Sequence, residues 1–342
     1  MDEYVVALDS LFGCDRVNHG DPDEEFVWRL PGSAGAESDS EGEGCAVLAV
    51  PEGPARAPLR LSLADGSVRL MAQHVWQSAL TLSEELAHGR VPVAGRCVLE
   101  LGAGAALPGL LARRLGARSV VVSDYPEACI VANMEKNVAA NQVPGVDCPA
   151  AVAAFGWGTD CAPLLAAEPS GCGAYDMLLL ADTLWLEDQH RNLCSSLRDL
   201  AAASRRVHGD SRWRAVFTFM NHDNGKGVAH RFFQMAHKDF GLHVVEARTI
   251  AWKKNAKGEP DYESDSSNPE RYGPVYMRVL AEGPLAAGEA ATQPPIHPAV
   301  QPPAHGLAHE PARQPPILPA PALEPAPAPA PAPVAEGAAG RA

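Results

Sequence analysis

One run constrains the fold of this chain more than any other: Val98-Leu99-Glu100-Leu101-Gly102-Ala103-Gly104-Ala105-Ala106-Leu107-Pro108-Gly109. Residues 97–101 (CVLEL) have the make-up of a short buried strand, and 105–116 that of an apolar helix. Two spaced glycines stand between them. Lacking a Cβ, Gly102 and Gly104 let the backbone turn sharply and let a ligand approach it closely. A ligand-free βα turn would look the same at this level, and the third position of a GxGxG is here Ala106. The next segment adds context. Residues 119–123 (SVVVS) read as a β-branched strand running into Asp124, 22 positions after Gly102, where an acid can accept hydrogen bonds from both hydroxyls of a ribose.

Strand and helix patterns then alternate. Strands are expected at 150–154, 176–181, 214–219, 242–246 and 275–280, and helices at 127–141, 187–204 and 228–240. Repeated βα units imply a parallel sheet covered by helices on both faces. Residues 249–273 are polar and charged, with no apolar helix to cross over, so the last strand is free to return antiparallel beside its predecessor. The fold class expected is α/β: a Rossmann-like, seven-stranded mixed sheet with the last strand antiparallel.

This domain is expected to span residues 59–280, opening with LRLSLADGSVRL, two alternating runs about Asp65-Gly66 that signal a hairpin. Residues 1–58 precede it as an N-terminal segment and an acidic Gly/Ser-rich linker; the large apolar residues Phe12, Phe26 and Trp28 leave docking and looseness both open for residues 1–30. Residues 281–342 carry 16 of the chain's 31 prolines and end in an alternating Pro-Ala run, the composition of an extended, disordered tail.

With 46% hydrophobic residues among 342, one sizeable core can form. A formal charge of −14 argues against nucleic acid as the partner, because phosphate binding needs a basic face. No apolar run approaches the roughly 20 residues that span a bilayer, so no membrane partner is expected. The eight cysteines form no CxxC pair and no cluster with zinc-ligand spacing, so no metal is expected, and a reducing location, cytoplasmic or nuclear, is expected.

Glu100 separates two ligand classes. A carboxylate just before the first glycine suits a cationic ligand end better than a pyrophosphate. S-adenosylmethionine carries a sulfonium, an ammonium and no phosphate, and it is therefore the cofactor expected over a nicotinamide dinucleotide.

The run VLELGAGAALPGLLARRLGARSVVVSDYP, followed by NMEKNVAANQ, resembles the family-16 eukaryotic methyltransferases, the methyltransferase-like 21 group of protein lysine methyltransferases. His74-Val75-Trp76-Gln77-Ser78-Ala79 is similar to that family's tryptophan segment, Phe155-Gly156-Trp157-Gly158 to its Trp-Gly, and Ala181-Asp182-Thr183-Leu184-Trp185 to its Asp-x-x-Tyr motif. Together these matches cover residues 60–280. Asp124-Tyr125-Pro126, Trp185 in place of Tyr, His190 and Phe232-Phe233 resemble one fungal branch, the elongation factor methyltransferase 7 branch, once described as nicotinamide N-methyltransferase-like.

The resemblance implies a monomeric S-adenosylmethionine-dependent N-methyltransferase with a protein substrate, its target a lysine or an N-terminal amine of translation elongation factor 1-alpha. A small-molecule, nicotinamide-like N-methyltransferase and a non-catalytic binding module of the same fold are the alternatives. It further implies that Gly102, Ala103 and Gly104 line the methionine part of the cofactor and that Glu100 holds its amino end. Asp124 would bind the ribose, Trp157 would pack on the adenine, Trp76 would close over the methionyl end, and Ala181 would join them on the cofactor side. Asp182 and Trp185 become the catalytic pair, holding the substrate amine. Each tryptophan has core filling as its plainer reading, Asp182 has an N-cap for helix 187–204 or a packing carboxylate, and His190, His222 and His230 have surface or helix positions. Trp28, Trp213 and Trp252 are assigned to packing or surface.

Overall fold

The computed structural model describes residues 18–19, 24–30, 50, 53–64, 71–209, 212–221, 227–250 and 274–282. The expected turn at Asp65-Gly66, His222, Trp252 and the Pro/Ala-rich tail lie outside these residues. By its contacts the chain divides into two units, Met1–Gln301 and Pro302–Ala342, and the second is wholly outside the described residues.

Four short strands come first: β1 (Asn18–His19), β2 (Glu25–Trp28), β3 (Leu59–Ser62) and β4 (Val75–Trp76). The main sheet follows as β5 (Cys97–Leu101), β6 (Ser119–Asp124), β7 (Ala150–Ala154), β8 (Met177–Ala181), β9 (Arg214–Phe219), β10 (Leu242–Ile250) and β11 (Val275–Glu282). The helices are α1 (Gln77–Ala87), α2 (Leu107–Arg114), α3 (Ala128–Ala140), α4 (Ala162–Ala166), α5 (His190–His208) and α6 (Val228–Phe240).

The seven strands lie in the order β10-β11-β9-β8-β5-β6-β7. Strands β9, β8, β5, β6 and β7 run parallel, and β11 inserts antiparallel between β9 and β10. The expected mixed sheet is thus present, and the antiparallel strand pairs on both of its edges. All five residues of the central strand β5 are buried. Their side chains alternate between two cores, as a strand with both faces covered requires. Val98 joins Leu107, Leu110 and Leu111 of α2 on one face, while Cys97, Leu99 and Leu101 join Leu193, Leu197 and Phe232 from α5 and α6 on the other.

Helix α1 has no counterpart among the elements expected from sequence. Its buried residues include Ser78, Thr81, Ser83 and Glu85, so hydrophobicity alone does not mark its inward face. Glu85 is buried between two arginines, 2.7 Å from Arg90 and 2.6 Å from Arg248.

Residues 65–70, which hold the expected turn and the expected hairpin partner of strand β3, lie outside the described residues. One edge of β3 pairs antiparallel with β2, more than thirty residues upstream. Its other edge meets three asparagines spaced four apart, two in α3 and one at its C-cap. Asn141 accepts the Arg60 amide at 2.8 Å and donates to the Arg60 carbonyl at 2.6 Å. Asn137 repeats this pattern on Ser62, at 2.7 and 2.9 Å, and Asn133 donates to the Ser62 carbonyl at 3.0 Å. Side-chain amides thereby complete a strand edge that would otherwise present unpaired backbone groups. Trp28 and Leu30 are buried in the same core as α2, so residues 24–30 dock on the domain.

Candidate active site

The site gathers at the carboxyl ends of β5, β6 and β8, where ligands of open α/β sheets bind. Strand β5 runs into a turn in which Gly102 and Gly104 take positive φ values of 66° and 50°. Ala106, the N-cap of α2, adopts φ 66° as well, a conformation that costs an alanine about 1 kcal/mol. Backbone bonds tie the turn down: Ala103 N–H donates to Ser123 O at 3.0 Å, and Ala106 N–H to Ala103 O at 2.6 Å.

Asp124 joins this turn to the end of β6. Its Oδ2 accepts Gly104 N–H at 2.7 Å and its Oδ1 accepts Tyr125 N–H at 2.6 Å. Desolvation raises its pKa and the neighbouring Glu127 adds to the rise, while the two amide bonds oppose it. Each carboxylate oxygen keeps a second lone pair for a ribose hydroxyl.

Glu100 stands elsewhere than the sequence reading put it. It is 2% exposed, and its Oε2 accepts Gly109 N–H from the first turn of α2 at 2.8 Å. Burial pushes its pKa up to about 8, opposed by the Gly109 bond and assisted by the charge of Asp124. The parity of β5 is the reason: Glu100 points to the same face as Val98, under α2. It positions the helix that follows the turn through its bond to Gly109 N–H.

The segment after β8 lies against the same turn. A Cβ on Gly102 would sit 2.9 Å from Thr183 Cγ2 and 3.4 Å from Trp157 Cζ2, so the missing methyl is what admits both side chains. Asp182 is 6% exposed and takes φ 54°, an uncommon backbone for a residue with a side chain, though aspartate tolerates it better than most. Its N–H donates to Thr218 O at 2.8 Å, and its Oδ1 accepts Met220 N–H at 3.4 Å. The capping alternative for Asp182 falls away: a 3-10 turn at Glu187–Gln189 leads into α5, with Leu186 at its N-cap.

His190 is buried rather than superficial. Its Nε2 lies 2.9 Å from Leu184 O, which assigns the proton to Nε2, and its ring meets Phe232 edge-on at 5.1 Å. Burial lowers its pKa. It thus ties the loop carrying half-buried Trp185 to α5 and α6.

Trp76 packs with Met220 and Val275, and its Nε1–H donates to Met71 O at 3.0 Å. Ala72 lies 3.8 Å from the position of a Gly104 Cβ, so residues 71–76 stretch from the glycine turn to the end of β9. Trp157 is half-buried against the core on the α5 side, and its edge reaches Gly102. Trp28 and Trp213 are packing residues, 7% and 1% exposed. Gly102, Ala103, Gly104, Asp124, Trp157, Ala181 and Asp182 are therefore close together, with Trp76 linked through Met220 and Glu100 set beneath.

Two neighbours were missed from sequence. Thr183 is 3% exposed, and its buried hydroxyl has no hydrogen-bond partner among the described residues. Tyr125, beside Asp124, is one of two large hydrophobic side chains exposed among the described residues, at 38%. Only the proximity of each to a recognised motif residue could have singled it out. A Cβ-free turn, a carboxylate with spare lone pairs, an orphaned hydroxyl and bordering aromatic rings fit a nucleoside joined to an amino-acid chain.

Sheet order, inserted antiparallel strand, glycine turn and strand-end acid together define an S-adenosylmethionine-dependent methyltransferase of the Rossmann-like class. The profile of the lysine methyltransferase family matches residues 56–238, and the chain belongs to that family. It is similar to the protein N-terminal and lysine N-methyltransferase EFM7 of Eremothecium gossypii, 37% identical over 261 residues, covering 74% of this chain and 91% of the relative. The proteins of the same name from Candida glabrata and Schizosaccharomyces pombe are each 29% identical, over 222 and 225 residues, covering 65% of this chain and 80% of each relative.

Proposed function

We propose that this enzyme methylates amines of a protein, a lysine side chain or an N-terminal amine, and that translation elongation factor 1-alpha is the substrate. One observation carries the amine reading: buried Asp182 is held in a left-handed backbone conformation at the mouth of the cofactor turn, by Thr218 O at 2.8 Å and Met220 N–H at 3.4 Å. The relatives' name, protein N-terminal and lysine N-methyltransferase, supports a protein substrate over a small molecule.

S-adenosylmethionine supplies a methyl group on a sulfonium, open to direct displacement by a neutral amine. Asp124 would receive the ribose hydroxyls, the Gly102–Gly104 turn would admit the methionine chain, and Trp157 and Tyr125 would border the adenine. Asp182 accepts a hydrogen bond from the substrate amine and so aims its lone pair; alignment of this kind is the main service an enzyme renders to a displacement. Trp185 presents an aromatic face, whose attraction for a cationic amine is on the order of 1 kcal/mol. Burial around Asp182 favours the neutral, nucleophilic form of a lysine.

Transfer of labelled methyl from S-adenosylmethionine tests this reading, with purified elongation factor 1-alpha, a whole-cell lysate and nicotinamide as acceptors. Label mapped to the elongation factor's N-terminal residues is the expected result. Label on a different lysate protein discards the elongation factor, and label on nicotinamide discards the protein substrate.

A further inference from the structure

The three asparagines of α3 and its C-cap are not equivalent. Asn141 spends its side chain on Arg60 of β3 and on Asn137 O at 2.9 Å, all within the ribbon and the helix. Asn137, 0% exposed, pairs with Ser62 of β3 in the same manner, but its amide also donates to Ala105 O at 3.1 Å. Its oxygen and both amide hydrogens are thereby used.

Ala105 stands between Gly104, whose N–H holds Asp124, and Ala106, whose left-handed conformation starts α2. The other bonds of the turn run within the β5–α2–β6 unit, from Ala103 to Ser123 and from Ala106 to Ala103. The Asn137 bond ties the turn to the β2–β3 ribbon, and β2 lies ahead of the segment matched by the family profile.

We propose that Asn137 is a positioning residue for S-adenosylmethionine. It fixes the Gly102–Ala106 turn through the Ala105 carbonyl and makes the β2–β3 ribbon part of the binding unit. Without that bond, Ala105 and the disfavoured Ala106 lose their external anchor, and Gly104 N–H no longer holds the Asp124 carboxylate where the ribose meets it. The inference rests on the placement of the cofactor on this turn.

The test compares Asn137→Ala with Asn141→Ala, which breaks the same kind of ribbon contact without touching the turn. Calorimetry gives the Kd for S-adenosylhomocysteine well below the unfolding transition, and thermal unfolding of the free proteins gives stability. Both variants should unfold at lower temperature. Asn137→Ala should raise Kd about tenfold, the effect of one well-placed hydrogen bond, while Asn141→Ala should stay within about twofold, the scatter of independent sites. If Asn137→Ala does not fold, Asn137→Ser is read by the same criterion. A Kd for the Asn137 variant within about twofold of wild type, or an equal rise in both variants, overturns the proposal. Asp124→Ala is run alongside: an unchanged Kd there would overturn the placement of the cofactor itself, a failure separate from that of Asn137.

Discussion

Gly109→Ala sets two physical effects against each other, and the structure decides the sign. Gly109 lies in the first turn of α2, where replacing glycine by alanine ordinarily stabilises a helix by up to about 1 kcal/mol. Here the added Cβ would stand 2.6 Å from Glu100 Oε2 and 2.6 Å from Val122 Cγ1, with Val120 Cγ1 at 3.5 Å. Glu100 is 2% exposed and Val122 and Val120 are fully buried, so neither can swing into solvent. Overpacking of this kind costs about 1–3 kcal/mol. Displacing the Glu100 carboxyl from the Gly109 amide, 2.8 Å away, adds about 1–3 kcal/mol. After the helix gain is subtracted, the net loss is roughly 1–5 kcal/mol, a fall in Tm of roughly 2–20 °C for a domain of this size. Urea and thermal unfolding measure it directly. Gly116→Ala is the contrast, since a Cβ there meets nothing within 4 Å and only the φ of 78° opposes it, a cost of about 1–2 kcal/mol. A Gly109→Ala protein as stable as wild type, or more so, would refute the close approach of α2 to β5 and β6.

Three further predictions concern individual side chains. Glu100 has its pKa raised to about 8 in the fold, so the native state holds a proton that the unfolded chain has released, and this contribution to stability falls as pH rises from about 4.5 through about 8. Glu100→Gln should therefore gain stability relative to wild type across that window, on the order of a few kcal/mol at most; a difference independent of pH refutes it. Asp182→Asn keeps the backbone preference for φ 54° and an oxygen for Met220 N–H, so its Tm should match wild type while methyl transfer falls by about a hundredfold; near-normal transfer would remove Asp182 from the chemistry. His190→Phe preserves an aromatic ring against Phe232 but orphans Leu184 O, costing about 1–2 kcal/mol and raising the protein-substrate KM with S-adenosylhomocysteine affinity unchanged. Because burial depresses the His190 pKa, its share of stability is lost as pH falls below about 6.5, and the phenylalanine variant should lack that acid-side loss.

The central strands were legible from sequence because a parallel strand covered on both faces is a short apolar run: CVLEL at 97–101 and RAVFTF at 214–219 are strands with those bounds, and the half-buried edge strand AAVAA at 150–154 was marked by the same apolar run. The glycine turn and Asp124 were legible too, since a turn that must shed its Cβ atoms, and an acid one strand later, are spelled out locally. The direction of Glu100 was not. Strand parity makes the two faces equivalent until it is known that α2 covers one of them closely enough to exclude a Cβ at Gly109. Helix α1 escaped because it buries serine, threonine and glutamate as well as leucine. The asparagines of α3 and its C-cap stood within a stretch already singled out, NMEKNVAANQ, yet their role depends on a strand 71 to 81 residues away.

Local chemistry along the chain thus carried the class of fold, the succession of the main-sheet strands and the glycine turn, because backbone periodicity and glycine's conformational freedom act over a few residues. Only the tertiary structure decided which groups the buried polar side chains meet: Glu100 under α2, His190 beneath the Trp185 loop, and Asn137 between the ribbon and Ala105. A buried polar atom must find a partner wherever the packed chain brings one, and that partner can lie anywhere along the sequence.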